Sequence, residues 1–168
     1  MPNWCYNNVQ ILAEPHEIQR IKNSLDNCKG KNFFDIFVPN AEQAGQGDGE
    51  KWYQYNIDTY GCKWNCDTYQ YDVDGEGTTI SISFDSPWGP PIALYEAIYR
   101  DLNYNVLAYY DECGMAFCGR YEDGDDYYYD YSGMSAEEIE DMIPDDINEF
   151  FELSERQRQY EEENENED

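Results

Sequence analysis

Residues 111–168 carry 22 of the chain's 37 carboxylates and only 3 of its 10 basic side chains. Any fold must keep such a segment at its surface, because carboxylates without partners are not buried. The first 110 residues hold 15 acidic and 7 basic residues and read as the part that builds a core. A length of 168 residues fits one domain with an appendage. It is long enough to bury a core without metal or disulfide staples. Much of the apolar material is aromatic, with 17 Tyr, 7 Phe and 4 Trp, so rings with polar tips are expected at the margin of that core.

The formal net charge of −27 excludes some partners. Direct binding to DNA, RNA or an anionic membrane needs positive charge that replaces counterions. The expected partner is therefore a basic protein, itself a DNA- or RNA-binding one. The opposing reading is a well-solvated surface, since net charge speaks first of solubility. Six Cys are present, and MPNWCYNN has neither the basic nor the apolar region of a secretory signal. Reduced thiols in a cytoplasm are the expectation. No apolar run approaches the roughly 20 residues of a membrane-spanning helix.

Hydrophobic periodicity orders the elements. Trp4 to Leu12 reads as a first strand, and Pro15 opens a helix with Ile18, Ile21, Leu25 and Cys28 at helical spacing, stopped at Gly30. Phe33 to Val38 reads as a second strand ended by Pro39-Asn40. A Gly- and Gln-rich loop, 41–50, leads into the aromatic stretch Lys51 to Trp64, within an insertion of about 41–77 expected to pack on the sheet. Thr78 to Asp85 alternates strongly, with Ile80, Ile82 and Phe84 on one face. Ser86-Pro87-Trp88-Gly89-Pro90-Pro91 breaks it, with Trp88 expected to pack over the core. A helix over Ile92 to Leu102 follows, with Pro91 at its first position. Asn105 to Tyr110 is the next strand, Asp111-Glu112 a turn, Gly114 to Tyr121 its hairpin partner and Asp125 to Tyr131 an edge strand. Ser135 to Glu138 has capping-box spacing ahead of an apolar stripe, Ile139 to Phe151, that Pro144 should kink or split. The tail, 155–168, reads as disordered by composition.

This order predicts an α+β fold: a ferredoxin-like β-α-β / β-α-β antiparallel sheet with helices on one face. To it are added the aromatic insertion, extra C-terminal β-hairpin strands and an acidic C-terminal helix. The expected divisions are a domain over 1–131, a helical extension over 132–154 and the tail.

The N-terminal MPNWCYNNVQI resembles the YubB ferredoxin-like family of phage and plasmid proteins. Similar landmarks are Trp52-Tyr53 with Tyr60-Gly61-Cys62-Lys63-Trp64, then Phe84 to Pro91, then Tyr110 to Gly119. The family often has Trp-Gly-Thr-Lys-Trp where this chain has Tyr60 to Trp64, and the acidic region after residue 120 matches none of its motifs. The resemblance implies a fold and a mobile-element origin, and no catalytic chemistry. By analogy with such proteins, it implies blockade of a defence effector in a bacterial host cell.

The candidate partner-binding residues are Glu122, Asp123, Asp125, Asp126, Tyr127, Tyr129 and Asp130 on the edge strand, with Glu137, Glu138, Glu140, Asp141, Asp145 and Asp146 on the helix. B-DNA carries one phosphate charge per roughly 1.7 Å of axis, and carboxylates on neighbouring elements can imitate that line. The expected function is thus inhibition, by acidic DNA mimicry, of a nucleic-acid-binding defence protein such as a CRISPR effector or restriction enzyme. The alternatives are a self-associating assembly protein, and a small-ligand binder with a pocket under the aromatic insertion. The competing explanation of the acids is an edge charged to prevent strand addition.

No catalytic site, cofactor or metal is expected. Cys62-x3-Cys66 has zinc-like spacing, but Cys113-x4-Cys118 lies along an expected strand, where residues five apart face opposite sides. Asp72-x-Asp74-x-Glu76-Gly77 resembles the start of a calcium loop, yet Ser83 occupies the position of the bidentate Glu, so a polar hairpin turn is expected. His16 is the sole His, which excludes multi-His metal sites, and no Gly-rich phosphate loop is present.

Overall fold

The structure, a computed structural model, describes residues 1–38 and 51–165. The expected loop over 41–50, and the Pro39-Asn40 strand end, lie outside the described residues. Six strands form one antiparallel sheet: β1 (Trp4–Leu12), β2 (Thr68–Val73), β3 (Thr79–Pro87), β4 (Asn105–Glu112), β5 (Phe117–Glu122) and β6 (Asp125–Asp130). Their order is β2-β3-β1-β4-β5-β6. The four strands β2-β3-β1-β4, with α1 (Pro15–Cys28) after β1 and α3 (Ile92–Arg100) after β3, make the ferredoxin-like α+β plan. The hairpin strands β5 and β6 extend it beyond β4.

Alternation decides what each face buries. Val9 and Ile11 of β1, Ile80, Ile82 and Phe84 of β3, and Val106 and Ala108 of β4 point to one side. They meet Ile18, Ile21 and Leu25 of α1 and Leu94, Tyr95 and Ile98 of α3. This is the main core. A second, smaller core lies on the opposite face, where Cys118 of β5 meets Ile139, Ile143, Ile147 and Leu153. Helices therefore cover both faces, not one as expected from the element order. The C-terminal helices cover the β4–β5 half of the second face.

The expected second strand is absent. Phe33–Ile36 is a 3-10 helix, because Phe33, Phe34 and Phe37 must all enter the core, which strand alternation forbids. Asp67 and Asn65 accept from the backbone N–H groups of Asn32 (2.9 Å) and Phe34 (3.1 Å) and hold this turn. The strand position is taken by β2, inside the supposed insertion. Gly30 (φ +70) ends α1 and accepts the Thr68 N–H at 2.8 Å. A Cβ there would lie 2.7 Å from the Thr68 methyl, so only glycine lets α1 pass this close to β2. The acidic segment before β3 is the expected polar hairpin turn, with Asp74 accepting from the N–H groups of Thr78 and Thr79.

The aromatic stretch forms α2 (Lys51–Tyr60), which packs along α3 and inserts Tyr60 against Phe34 instead of lying on the sheet. Trp88 is 54% exposed, contrary to the expected packing role. Its turn is fixed from below by Ser86, whose hydroxyl donates to the Gly89 carbonyl at 2.6 Å.

Pro144 splits the expected single helix into α4 (Ala136–Met142) and α5 (Asp145–Phe151). The supposed disordered tail continues as α6 (Leu153–Glu165). Composition misled here because α6 is held by partners distant in sequence. Arg156 bonds Asp111 at 2.8 Å, Arg158 bonds Glu140, and Glu161 accepts the Ala136 N–H at 3.0 Å. The capping box is complete: Ser135 Oγ accepts the Glu138 N–H at 3.2 Å, and Glu138 accepts the Ser135 N–H at 2.8 Å. Ser135→Ala is expected to lower stability by about 1 kcal/mol, read as a shifted denaturant midpoint with an unchanged slope.

Candidate interaction surface

β6 is the edge strand, as expected, and its sequence DDYYYD leaves most side chains exposed. The hairpin turn brings Glu122 opposite Asp125 in register. Exposed Asp125, Glu137, Asp141 and Asp145 have no hydrogen bond or ion pair with any described residue. Glu122 reaches Arg120 only at 3.5 Å. These carboxylates, at the end of β5, on β6 and on the exposed sides of α4 and α5, form the outward-facing part of the candidate set.

Other members of that set are engaged by neighbouring groups. Asp123, at φ +44 in the β5–β6 turn, accepts from the Val106 N–H (2.8 Å) and the Asn105 amide (2.9 Å) and so locks the hairpin to β4. Asp126 accepts from Tyr110 Oη at 2.7 Å. Burial raises its carboxyl above the ordinary range, and the Tyr110 hydrogen bond only partly offsets that. Asp146 accepts from Arg120 at 2.6 Å and Tyr109 at 3.1 Å. Partial burial opposes its ionisation, but these two partners outweigh it and hold the carboxyl below its usual value. Asp130 caps the Ser132 N–H, Glu138 serves the capping box and Glu140 pairs with Arg158. Tyr127 lies exposed with its ring 5.2 Å from the Arg120 guanidinium. Tyr129 turns in against the smaller core, whereas Tyr128, not singled out from the sequence, is 56% exposed. Period-two alternation sets Tyr128 on the face opposite Tyr127 and Tyr129, but does not separate Tyr127 from Tyr129.

The basic residues of this half of the chain are all engaged. Arg120 pairs with Asp146, Arg156 with Asp111, and Arg158 with Glu140 and Glu155. Apart from the Arg120–Glu122 contact at 3.5 Å, none pairs with an outward carboxylate. Asp111 and Glu112, expected as a turn, are instead the buried end of β4. Asp111 accepts from Tyr131 Oη (2.6 Å) and Arg156, which fastens α6 to the sheet. Glu112 accepts the N–H groups of Gly114 and Met115 and builds the β4–β5 turn. Beside α4 and α6 opens a cleft of about 590 Å³, whose walls include Tyr131, Met134, Glu138, Arg156 and Tyr160.

Four thiols, Cys5, Cys62, Cys66 and Cys118, are buried and placed for packing, whereas Cys28 is half-buried and Cys113, contrary to the expected burial, is exposed. Cys62 and Cys66 are buried and both turn toward the Trp64 carbonyl. The Cys62 neighbour and burial push the Cys66 thiol up, away from thiolate. Burial, with the Asp111 charge, pushes Cys118 up to about 12. Among the described residues no group of three or more His, Cys, Asp or Glu is arranged to hold a metal ion, and no helix is long and apolar enough to cross a membrane.

No family model and no curated protein matches this chain. Among solved structures it is similar to the protein api92 from Yersinia pseudotuberculosis, of the DUF1281 family. The TM-score is 0.47 at 9% identity, over 79% of this chain and 99% of that one. Strand order and register, not this likeness, define the fold.

Proposed function

We propose that the protein binds a basic, nucleic-acid-binding protein and occupies the channel in which that protein holds DNA or RNA. The observation that supports this reading is the set of outward carboxylates on β6, α4 and α5, left unopposed because every nearby Arg is internally paired. Exposed Tyr127, on the same sheet face as Asp125, adds contact area. The resemblance to a family of phage and plasmid proteins supports a narrower form, inhibition of a CRISPR effector or restriction enzyme in a bacterial cytoplasm. Self-association through β6 is disfavoured, because Asp125, Asp126 and Asp130 would bring like charges together across the added strand.

The test is displacement of labelled duplex DNA, followed by fluorescence anisotropy, from purified CRISPR effectors and restriction enzymes. Displacement is expected, and it should weaken steeply as salt rises. The variant Asp125→Lys/Glu137→Lys/Asp141→Lys avoids carboxylates that hold the fold together. It should displace roughly tenfold less well or worse, since like charge at a basic channel repels. Failure to displace DNA from any effector, or displacement indifferent to salt and to the three substitutions, overturns the reading.

A further inference from the structure

The opposite end of the sheet carries a second recess that the acidic surface does not use. It measures about 430 Å³ and is lined by Trp4, Trp64, Tyr69, Asp85, Asp67 and Asn32 among others. Each aromatic wall has its own cause. Trp4 opens β1 and lies on the face away from the main core, 47% exposed. Tyr69 is the extra residue of a β-bulge, because Thr68 pairs with Phe84 and Gln70 with Ser83. The bulge throws its ring out beside Tyr6, at 6.4 Å between centroids, and leaves it 57% exposed. Trp64 comes from the loop before β2 and meets Trp4 edge-to-face at 6.1 Å.

The two carboxylates differ. Asp67 is satisfied by Lys31 at 2.7 Å and the Asn32 N–H, and the Lys31 hydrogen bond leads in holding it below the usual range. Asp85, opposite Tyr6 on the same strand face, has no hydrogen bond or ion pair with any described residue. It reaches solvent on one side, but the surrounding protein removes enough water to raise its carboxyl above the ordinary value. Burial, with the Asp85 charge second, pushes the Tyr69 phenol up, and both side chains line the same recess.

An uncompensated carboxylate among the rings of two Trp and a Tyr attracts a cation and rewards one with weak hydration. The faces of aromatic rings are negative, and an alkylated ammonium loses little on leaving water. A hard metal ion finds one free carboxylate here and no further oxygen set. The Lys63 ammonium, 5.4 Å from the Trp64 centroid, shows that this ring accepts a cation, although Lys63 does not line the recess. The volume falls within the range of small-ligand sites and exceeds a trimethylammonium group with its first neighbours. The chain's net charge of −27 raises the local concentration of any cation.

We propose that Trp4, Trp64, Tyr69 and Asp85 form a binding site for an alkylated ammonium group, free or carried on a methylated lysine. None of these residues lies in the acidic surface after residue 110, so the proposal stands or falls independently of the nucleic-acid-channel reading.

The test is calorimetric titration, with Trp fluorescence as a second readout, using choline, its neutral isostere 3,3-dimethylbutan-1-ol, Nε-trimethyllysine and lysine. Saturable binding of choline or trimethyllysine is expected at or below on the order of 10 mM, with the neutral isostere about tenfold weaker or worse. A methyllysine preference assigns the group to a side chain and a choline preference to a free ligand; both support the site. Asp85→Asn should weaken binding about tenfold and remove its decline as pH falls through the Asp85 titration. Trp4→Ala should weaken it comparably. Both positions are partly exposed, so melting curves should show the fold retained. The proposal is overturned if no cation saturates the site in the folded protein, if the isostere binds as well as choline, or if Asp85→Asn binds as the parent does.

Discussion

Asn7→Leu is expected to lower stability by about 3 kcal/mol, because it leaves the fully buried Tyr95 hydroxyl without a partner and takes from Ser86 Oγ and the Cys5 carbonyl the amide they accept from. Asn7 is wholly buried on β1, the strand between β3 and β4. Its amide donates to the Cys5 carbonyl at 2.9 Å and to Ser86 Oγ at 2.8 Å. Its Oδ1 accepts from Tyr95 Oη at 2.9 Å. Through Ser86, which donates onward to Gly89, the network ties β1, the end of β3 and α3 together. Leucine matches Asn closely in size, so lost polar contacts outweigh any cavity term. Such a loss is a large share of the roughly 5–15 kcal/mol that stabilises an ordinary domain. The measurement is urea unfolding with the slope unchanged. Asn7→Leu/Tyr95→Phe should recover about 1–2 kcal/mol over the single variant, since it removes the orphaned Tyr95 hydroxyl. A single variant within about 1 kcal/mol of the parent would show that the network contributes little.

What the sequence makes legible follows from how local each signal is. TTISISFD declares β3 because its alternation is uninterrupted, and the Ser135–Glu138 spacing declares the start of α4 because both halves of the cap lie within four residues. β2 escapes because Tyr69 bulges out and destroys the alternation of TYQYDV. Phe33–Ile36 misleads because a run of Phe resembles a strand while its rings fill one pocket. The helicity of α6 rests on Asp111, Glu140 and Ala136, none of them visible from a window over QYEEENENED.

The candidate surface divides in the same way. Its location on an edge strand and the helices after it is written in the composition of residues 111–168. Which carboxylates stay unpaired is not, because Asp123, Asp126 and Asp146 are claimed by Val106, Tyr110 and Arg120 through contacts between separate elements that no local pattern encodes. Charge concentrated in one segment thus serves two ends: some acids fasten the hairpin and helices to the sheet, and the remainder are left over for a partner.

Gly119→Ala tests that coupling and is expected to lower stability by about 3 kcal/mol or more. A Cβ on Gly119 would overlap the Tyr110 hydroxyl, the ring carbon bearing it and the Tyr127 carbonyl oxygen. Tyr110 is fully buried and cannot swing away without abandoning Asp126 and leaving a cavity. The Tyr127 carbonyl belongs to the backbone of β6, so its retreat opens the β5–β6 ladder. Removing the Tyr110 hydroxyl alone should not rescue the variant, since the ring carbon and the β6 backbone still obstruct. The midpoint of thermal unfolding should fall by roughly 6–12 °C. Hydrogen exchange should show β6 amides losing protection first, while β1, β3 and α3 amides lose it only with the global fall in stability. If β6 presents the acids to a basic channel, DNA displacement should fail at temperatures where the rest of the sheet is still folded. A Gly119→Ala protein that melts within about 2 °C of the parent and keeps β6 protected would show that β6 yields without loss.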